Sequence, residues 1–160
     1  MFTVIDLFAG GGGFSYGFRR KGFTISSAVE INPSACRTYE RNISPLQLFC
    51  TDIRTLSGRE FENQNPDVVI GGPPCEAYTP VSLNRMDNPI DRLYVDERGR
   101  LTLDYIRLVA HLQPKVFVME NVLQITEGQL KYALIEEFRQ AGYERIYFNV
   151  LRSENYGSPS

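Results

Sequence analysis

The stretch that decides the fold is TVIDLFAGGGG, residues 3–13. Its first seven residues form a short apolar run, and four glycines follow at positions 10–13. Glycine turns a backbone tightly, because it reaches left-handed conformations without a steric penalty. Residues 14–21 then have helical character, and Gly22 ends them. The stretch therefore predicts a buried strand that turns directly into a helix.

The rest of the chain alternates between strands and helices in the same way. Apolar runs predict further strands at residues 24–30, 46–51, 67–70, 115–119 and 145–151. Helices are predicted from Pro33, which follows the N-cap residue Asn32, to about residue 42, and at residues 101–112 and 129–140. Such alternating units form a doubly wound, mostly parallel sheet, whose ligands bind at the carboxyl ends of the strands. We expect this α/β fold to form a single domain over residues 1–160.

Composition limits the partners that the chain can have. The 160 residues carry a formal charge of −2 and have a pI near 5.5. Binding to a polyanion normally needs an excess of Lys and Arg, which is missing here. No apolar run reaches the length of about 18 residues that suggests a membrane span, and no signal peptide precedes the first strand. We expect a cytoplasmic protein without a membrane partner, whose affinity for nucleic acid is local or supplied by another chain.

The three cysteines, Cys36, Cys50 and Cys75, form an odd set without CxxC spacing. This pattern indicates neither a disulfide framework nor a zinc site, and no other metal site is predicted. We expect all three to be reduced thiols, with Cys36 and Cys50 acting as small buried apolar side chains.

The glycine turn does not fit the dinucleotide-binding pattern G-x-G-x-x-G. Ser15 or Tyr16 stands at the third glycine position, depending on where the pattern begins. Two acidic residues nevertheless follow in order, Glu30 at the end of the second predicted strand and Asp52 at the end of the third. Such carboxylates can accept hydrogen bonds from ribose hydroxyls and from an adenine amine. The set favours an adenosine-containing ligand, although a plain strand-to-helix turn with a solvated acid is the alternative.

A thiol and a carboxylate follow two other predicted strands. Cys75 lies in the segment GGPPCEAYT, residues 71–79, and Glu120 with Asn121 follows the strand at 115–119. Two prolines fix the loop before Cys75, and loops after central strands carry functional side chains more often than buried strands do. The two groups can converge on one small planar substrate. The alternatives are a buried apolar cysteine and an ordinary acid at a strand end.

Together these motifs resemble the cytosine-C5 DNA methyltransferases over nearly the whole chain. Residues 6–13 resemble the family's first motif, and GGPPC and Glu120-Asn121-Val122 resemble its catalytic motifs. The resemblance implies a Rossmann-like methyltransferase fold, DNA methylation of the restriction-modification kind, and S-adenosyl-L-methionine as cofactor. It assigns cofactor binding to Phe8, Ala9, Gly10, Gly12, Gly13, Glu30, Ile31, Asp52, Ile53 and Leu101.

The resemblance also implies a covalent mechanism. Cys75 attacks C6 of a cytosine that is flipped out of the duplex, and C5 becomes the nucleophile that takes the methyl group. Glu120 stabilises the charge that develops at N3, while Pro74 and Asn121 support the cysteine loop. The catalytic residues implied are therefore Cys75 and Glu120.

Three departures from the family pattern shape the remaining expectations. Glu76 stands where the family usually has Gln, and this carboxylate beside the thiol repels phosphate. The loop at residues 82–100 is either a mobile lid on the substrate side or a disordered loop. The segment 155–159, Asn-Tyr-Gly-Ser-Pro, resembles the family's last motif before an arginine-rich segment and the target-recognition domain, neither of which is present.

Two classes of function follow from these observations. The first is the catalytic part of a split or truncated cytosine-C5 methyltransferase, which needs a complementary chain carrying the recognition domain or self-association of its exposed strand at 115–119. DNA is the expected substrate, with tRNA as the alternative. The second is a noncatalytic methyltransferase-like module that binds S-adenosylmethionine or a partner protein.

Overall fold

A computed structural model describes residues 1–83 and 85–157, in which five strands form one sheet between helices. The strands are β1 Thr3–Leu7, β2 Thr24–Glu30, β3 Gln47–Cys50, β4 Val68–Gly71 and β5 Val116–Met119. The longer helices are α1 Gly13–Arg20, α2 Pro33–Ile43, α3 Pro89–Tyr94, α4 Glu97–Leu112 and α5 Gly128–Gln140. All four strand pairs are parallel, in the order β3-β2-β1-β4-β5. The predicted doubly wound parallel sheet is confirmed.

The alternation of side chains along β1 explains why both faces of the sheet are covered. Val4 faces the cluster that contains Tyr39 and Ile43 of α2. Ile5 and Leu7 face the second and larger cluster, to which α4 and α5 contribute. A strand buried on both faces carries apolar residues at successive positions, as this one does. The carboxyl ends of the five strands therefore meet at one edge, between two apolar layers.

Tyr105 of α4 connects the two strands that precede Cys75 and Glu120. Its ring is buried, and its hydroxyl lies 3.2 Å from the carbonyl oxygens of Val69 in β4 and Val118 in β5. Gly71 of β4 is paired with Met119 of β5 in the same register. The segments that follow these strands, with Cys75 and Glu120, are thus attached to a common frame.

Helix α2 begins as predicted. The Asn32 side chain accepts hydrogen bonds from the backbone N–H groups of Ser34 and Ala35, and Pro33 occupies the first helical turn. Proline fits there because the first turn leaves its N–H groups without helical partners. This cap fixes the direction in which the chain leaves Glu30.

The segment at 82–100 was expected to be a loop, but it contains α3 and the first turn of α4. Asn88 caps α3, and Pro89 follows it. The buried guanidinium of Arg92 donates hydrogen bonds to the carbonyl oxygens of Met86 and Asp87. These bonds fold the preceding residues back onto α3, which gives the described part of this segment a fixed structure.

Helices α3 and α4 approach so closely that only glycine fits at position 99. A methyl group there would overlap the carbonyl oxygen of Arg92. We expect Gly99→Ala to lower the free energy of unfolding by about 3 kcal/mol, because backbone must move to relieve the overlap. Gly17→Ala is the matched control, since nothing lies within 4 Å of the added methyl in α1. It should raise stability by about 0.5–1 kcal/mol in the same urea titration. Equal effects of the two substitutions would refute this packing argument.

Two further expectations from the sequence are wrong. Cys36 and Cys50 form a disulfide in the structure instead of remaining reduced, because the turn between α2 and β3 brings their Cα atoms to 6.0 Å. Residues 145–151 form no strand. Ile146 and Phe148 still pack against the core, but the segment does not pair with the outer edge of β5.

Strand β5 therefore forms one edge of the sheet. Phe117 packs against Phe138 of α5 with ring centroids 4.2 Å apart, so it belongs to the core and not to the exposed edge as expected. Val116 and Val118 on the other face are 52% and 36% exposed. Within residues 1–83 and 85–157, no helix has both the length and the apolar character needed to cross a membrane. Ser158 and Pro159 of the last predicted motif lie outside the described residues.

Candidate active site

A cavity of about 230 Å³ opens at the carboxyl ends of β1, β2 and β3. This volume lies below the range of about 300–1,000 Å³ typical of ligand pockets, which suits a nucleoside better than a dinucleotide. Seven of the residues singled out in the sequence line it, namely Phe8, Glu30, Ile31, Asp52, Ile53, Pro74 and Leu101. Its other lining residues are Val29, Thr51, Arg54 and Gly72.

Glu30 is held in place by the backbone on both sides of β2. One carboxylate oxygen accepts a hydrogen bond of 2.8 Å from the N–H of Gly10, and the other accepts one of 2.8 Å from the N–H of Asn32. A carboxylate oxygen has two lone pairs, so each oxygen can still accept from a ligand hydroxyl. Glu30 thereby links the glycine turn to the cap of α2 and presents a fixed acceptor to the cavity.

Asp52 is paired with Arg54, which the sequence reading did not single out. The guanidinium contacts both carboxylate oxygens, at 2.6 and 2.9 Å on one and 3.1 Å on the other. These hydrogen bonds, together with one from the backbone N–H of Arg54, lower the pKa of Asp52. Asp52 is therefore an ionised acceptor on the cavity wall. The spacing Asp-Ile-Arg was the signal that could have identified Arg54.

The glycine turn lies beside the cavity without lining it. The N–H of Ala9 donates to Val29 O, and Gly10 and Gly12 have φ angles of 52° and 93°. A side chain at Gly12 would meet Ile43 at 2.7 Å and Tyr39 at 3.0 Å, so the turn sits directly on α2. Gly13 begins α1.

Phe8 is held in a strained conformation at the cavity wall. Its φ of 62° is in the left-handed region, which costs a residue other than glycine about 1–2 kcal/mol. Such strain persists where surrounding structure fixes it, and it concentrates at functional sites. Here the strain is located where β1 ends and turns the Phe8 ring toward the cavity that it lines.

Below the glycine turn lies a buried polar network that sequence reasoning missed. Ser15 Oγ donates to Asp6 at 2.6 Å and lies 2.6 Å from the Tyr39 hydroxyl. The second carboxylate oxygen of Asp6, Oδ1, has no partner among the described residues. Burial raises the pKa of Asp6 to about 7, helped by the nearby charge of Glu30. A polar residue in the middle of an apolar strand was the available signal.

The Cys75 loop is braced from the end of β5. The Asn121 side-chain amide donates to the carbonyl oxygen of Pro73 at 2.9 Å, and its oxygen accepts from the N–H of Val122. The carbonyl oxygen of Cys75 accepts from the N–H groups of Tyr78 and Thr79 and from the Thr79 hydroxyl. Cys75 is a partly exposed free thiol. The backbone on both sides of the thiol is thus fixed while the thiol stays accessible.

Glu120 lies on the same edge. Its N–H donates to the carbonyl oxygen of Gly71, which extends the β4–β5 ladder by one residue. A side chain at Gly72 would come within 3.1 Å of the Glu120 carboxylate, so this acid lies over the backbone that leads to Cys75. Gly72 and Pro74 also line the cavity. The arrangement joins a nucleoside-sized cavity to a loop with a thiol and a carboxylate.

Comparison with known proteins identifies relatives that are named as methyltransferases. M.MjaORF1200P of Methanocaldococcus jannaschii is 40% identical over 216 residues, which cover 100% of this chain and 58% of the relative. The type II methyltransferase M1.HphI of Haemophilus parahaemolyticus is 39% identical over 98% of this chain and 42% of its own length. A prophage-encoded protein of E. coli, known from a crystal structure, superposes with a TM-score of 0.67 at 31% identity, covering 87% of this chain and 37% of that one. The chain spans about half the length of the curated relatives it matches.

The profile of one family, described as C-5 cytosine-specific DNA methylase, matches residues 2–160. Members of this family take the methyl group from S-adenosylmethionine. With a match over nearly its whole length, this chain belongs to the C-5 cytosine-specific DNA methylase family.

Proposed function

We propose that this chain binds S-adenosyl-L-methionine and forms the catalytic part of a cytoplasmic enzyme that methylates C5 of cytosine in DNA. The observation that carries the proposal is the composition of the cavity wall. Phe8, Glu30 and Asp52 form one part of it, and Pro74, the neighbour of Cys75, forms another. A methyl donor bound there is adjacent to the loop that carries the thiol.

The residues present suit the adenosine part of this cofactor. Phe8, Ile31, Ile53 and Leu101 supply apolar surface for a planar ring. Glu30 supplies fixed acceptors for the ribose hydroxyls, and Asp52 is an ionised acceptor for the adenine amine. When bound, the cofactor supplies an electrophilic methyl group.

Glu30 provides the most direct test of cofactor binding. We expect S-adenosylmethionine to raise the melting temperature of the chain, because a ligand that binds only the folded state stabilises it. Glu30→Gln should weaken binding by about 1–3 kcal/mol in a calorimetric titration, since a charged acceptor is lost. Glu136→Gln, at an exposed position of α5, is the control and should bind normally. Absence of heat and of a melting shift at millimolar ligand would argue against the cofactor assignment.

The chemistry that we propose uses Cys75 and Glu120 together. The Cys75 sulfur attacks C6 of the cytosine, while Glu120 donates a hydrogen bond or a proton to N3 as negative charge develops there. C5 becomes nucleophilic and takes the methyl group, and loss of the C5 proton then allows the C6–S bond to break. Asn121 maintains the loop geometry through its bond to Pro73. The cytosine must leave the duplex to reach these groups.

We propose that recognition of DNA needs a further polypeptide segment. The relatives are about twice as long, and a net charge of −2 gives this part no general affinity for phosphate. The half-exposed Val116 and Val118 on the edge strand β5 mark where such a segment would pack. It would add strands to β5, either as a continuation of the same polypeptide or as a separate complementary chain.

Without that segment, the edge of β5 should cause self-association, because an unpaired apolar strand is a template for pairing. We expect sedimentation velocity of the 160-residue chain to show dimers that increase with concentration. Val116→Lys should shift the population to monomer by placing a charge on the edge. Val150→Lys, at a residue that is 62% exposed and outside the sheet, should leave association unchanged. A wild-type chain that stays monomeric at high concentration would count against this use of the edge.

A further inference from the structure

A disulfide joins the chain segment that follows Glu30 to the one that precedes Asp52, the two acids of the cavity wall. Cys50 is the last residue of β3, and Thr51 and Asp52 of the cavity follow it. Cys36 lies in α2, five positions after the cavity residue Ile31. The disulfide between Cys36 and Cys50 therefore fixes the segment that follows β3 to the segment that follows β2.

The disulfide also lies next to Glu30. The sulfur of Cys36 is 3.5 Å from the carbonyl oxygen of Glu30, and Cys50 is the register partner of Glu30 in the β2–β3 ladder. The carboxylate of Glu30 is attached to the start of α2 through Asn32. A shift of α2 relative to β3 would thus move Glu30 relative to Asp52.

Besides this bond, the outer wall is held by Arg107 of α4, which donates hydrogen bonds to the carbonyl oxygens of Ile53 and Leu56. The strand that precedes this wall is less well supported. Strand β3 has four residues and lies at the edge of the sheet, where β2 is its partner among the described strands. Short edge strands open locally at low cost in free energy. When a wall segment next to such a strand opens, only the molecules with the wall in place can bind, and the apparent affinity falls to that fraction of its intrinsic value.

We propose that the Cys36–Cys50 disulfide positions the cofactor cavity, so that reduction by a dithiol weakens binding of S-adenosylmethionine. The proposal rests on the proposed cofactor function. Cys50 is exposed, so a dithiol can attack its sulfur, forming a mixed disulfide and releasing the Cys36 thiol. The second thiol of the reductant then closes its own disulfide and releases the Cys50 thiol. The protein gains two hydrogens and the dithiol loses two.

The first test is a thiol count on the 160-residue chain after equilibration with air. In denaturant the oxidised chain should show one thiol, from Cys75, and the chain treated with dithiothreitol should show three. Three thiols in both samples would overturn the proposal.

The second test compares cofactor binding between the two states by calorimetry. If the outer wall is correctly placed in about a tenth of reduced molecules, affinity for S-adenosylmethionine falls about tenfold on reduction. Cys50→Ser should bind weakly with or without dithiothreitol. Cys75→Ser, which keeps the disulfide and lacks the free thiol, should respond to the reductant as the wild type does. Equal affinity of oxidised and reduced wild type would overturn the proposal.

Hydrogen exchange distinguishes this proposal from the cofactor assignment itself. Backbone amides of residues 51–55 should exchange faster in the reduced chain without any ligand. Faster exchange with no cofactor binding in either state would support the positioning role and overturn the assignment of the cofactor. Unchanged exchange would overturn the positioning role.

Discussion

Cys75→Ser should reduce methyl transfer to DNA by at least about a thousandfold, because removing a covalent nucleophile removes the step that activates the substrate. The measurement is incorporation of labelled methyl groups into mixed-sequence DNA by this chain together with the proposed complementary polypeptide. Glu120→Gln should also cause a severe loss, since an amide cannot transfer a proton to N3 and donates a weaker hydrogen bond than a carboxylic acid does. Binding of S-adenosylmethionine should survive both changes, which separates loss of chemistry from loss of folding.

Glu76→Gln is the matched control for these two substitutions. Glu76 is an exposed acid next to Cys75, and glutamine is the residue that the family usually has there. We expect this variant to retain transfer or to exceed the wild type, because a charge that repels phosphate is removed. Activity that persists in both Cys75→Ser and Glu120→Gln would move the catalytic centre elsewhere.

Stability should depend on pH through Asp6. Its pKa is raised from 3.8 to about 7 in the folded chain, chiefly by burial. The folded state therefore holds this proton more tightly than the unfolded state does. The resulting stabilisation is complete below the unfolded pKa and is lost as pH rises through about 7. A shift of this size corresponds to about 4 kcal/mol of unfolding free energy between pH 4 and pH 8.

Asp6→Asn isolates this contribution from that of the other carboxyl groups. The amide keeps the shape of the side chain and does not ionise. The free energy of unfolding of Asp6→Asn, relative to that of the wild type, should therefore increase with pH. Urea unfolding of both proteins at intervals from pH 4 to pH 8 measures the difference. A difference that stays constant over this range would show that Asp6 does not titrate as described.

The parts of the structure that could be predicted depend on local signals. The strand that ends in the glycine turn, the Asn32–Pro33 cap and the acids at strand ends are encoded within a few residues each. Parallel topology then places Phe8, Glu30 and Asp52 at one edge without further information. The roles of these residues in binding and catalysis stay predictions until the experiments above are done.

The expectations that were wrong depend on contacts between distant elements. The disulfide could not be read from a spacing of 14, because it needs the packing of α2 beside β3. Residues 145–151 have the alternation of a strand, yet alternation alone does not decide whether a segment pairs with a distant strand edge such as that of β5. Helix α3 differs from these cases, because its local signal was present and was overlooked. Asn88–Pro89 repeats the Asn32–Pro33 signal that predicted the start of α2 correctly.

The register between β4 and β5 determines how the proposed catalytic groups, the Cys75 thiol and the Glu120 carboxylate, are aligned. Cys75 and Glu120 follow different strands, so a slip of one residue between β4 and β5 would displace one relative to the other by about 3.3 Å. Errors of about 1 Å in the placement of reacting groups can already cost a hundredfold in rate. Tyr105, whose hydroxyl contacts both strands, opposes that slip from within the apolar core. A buried tyrosine that belongs to neither segment thus limits how far the proposed thiol and acid can move apart.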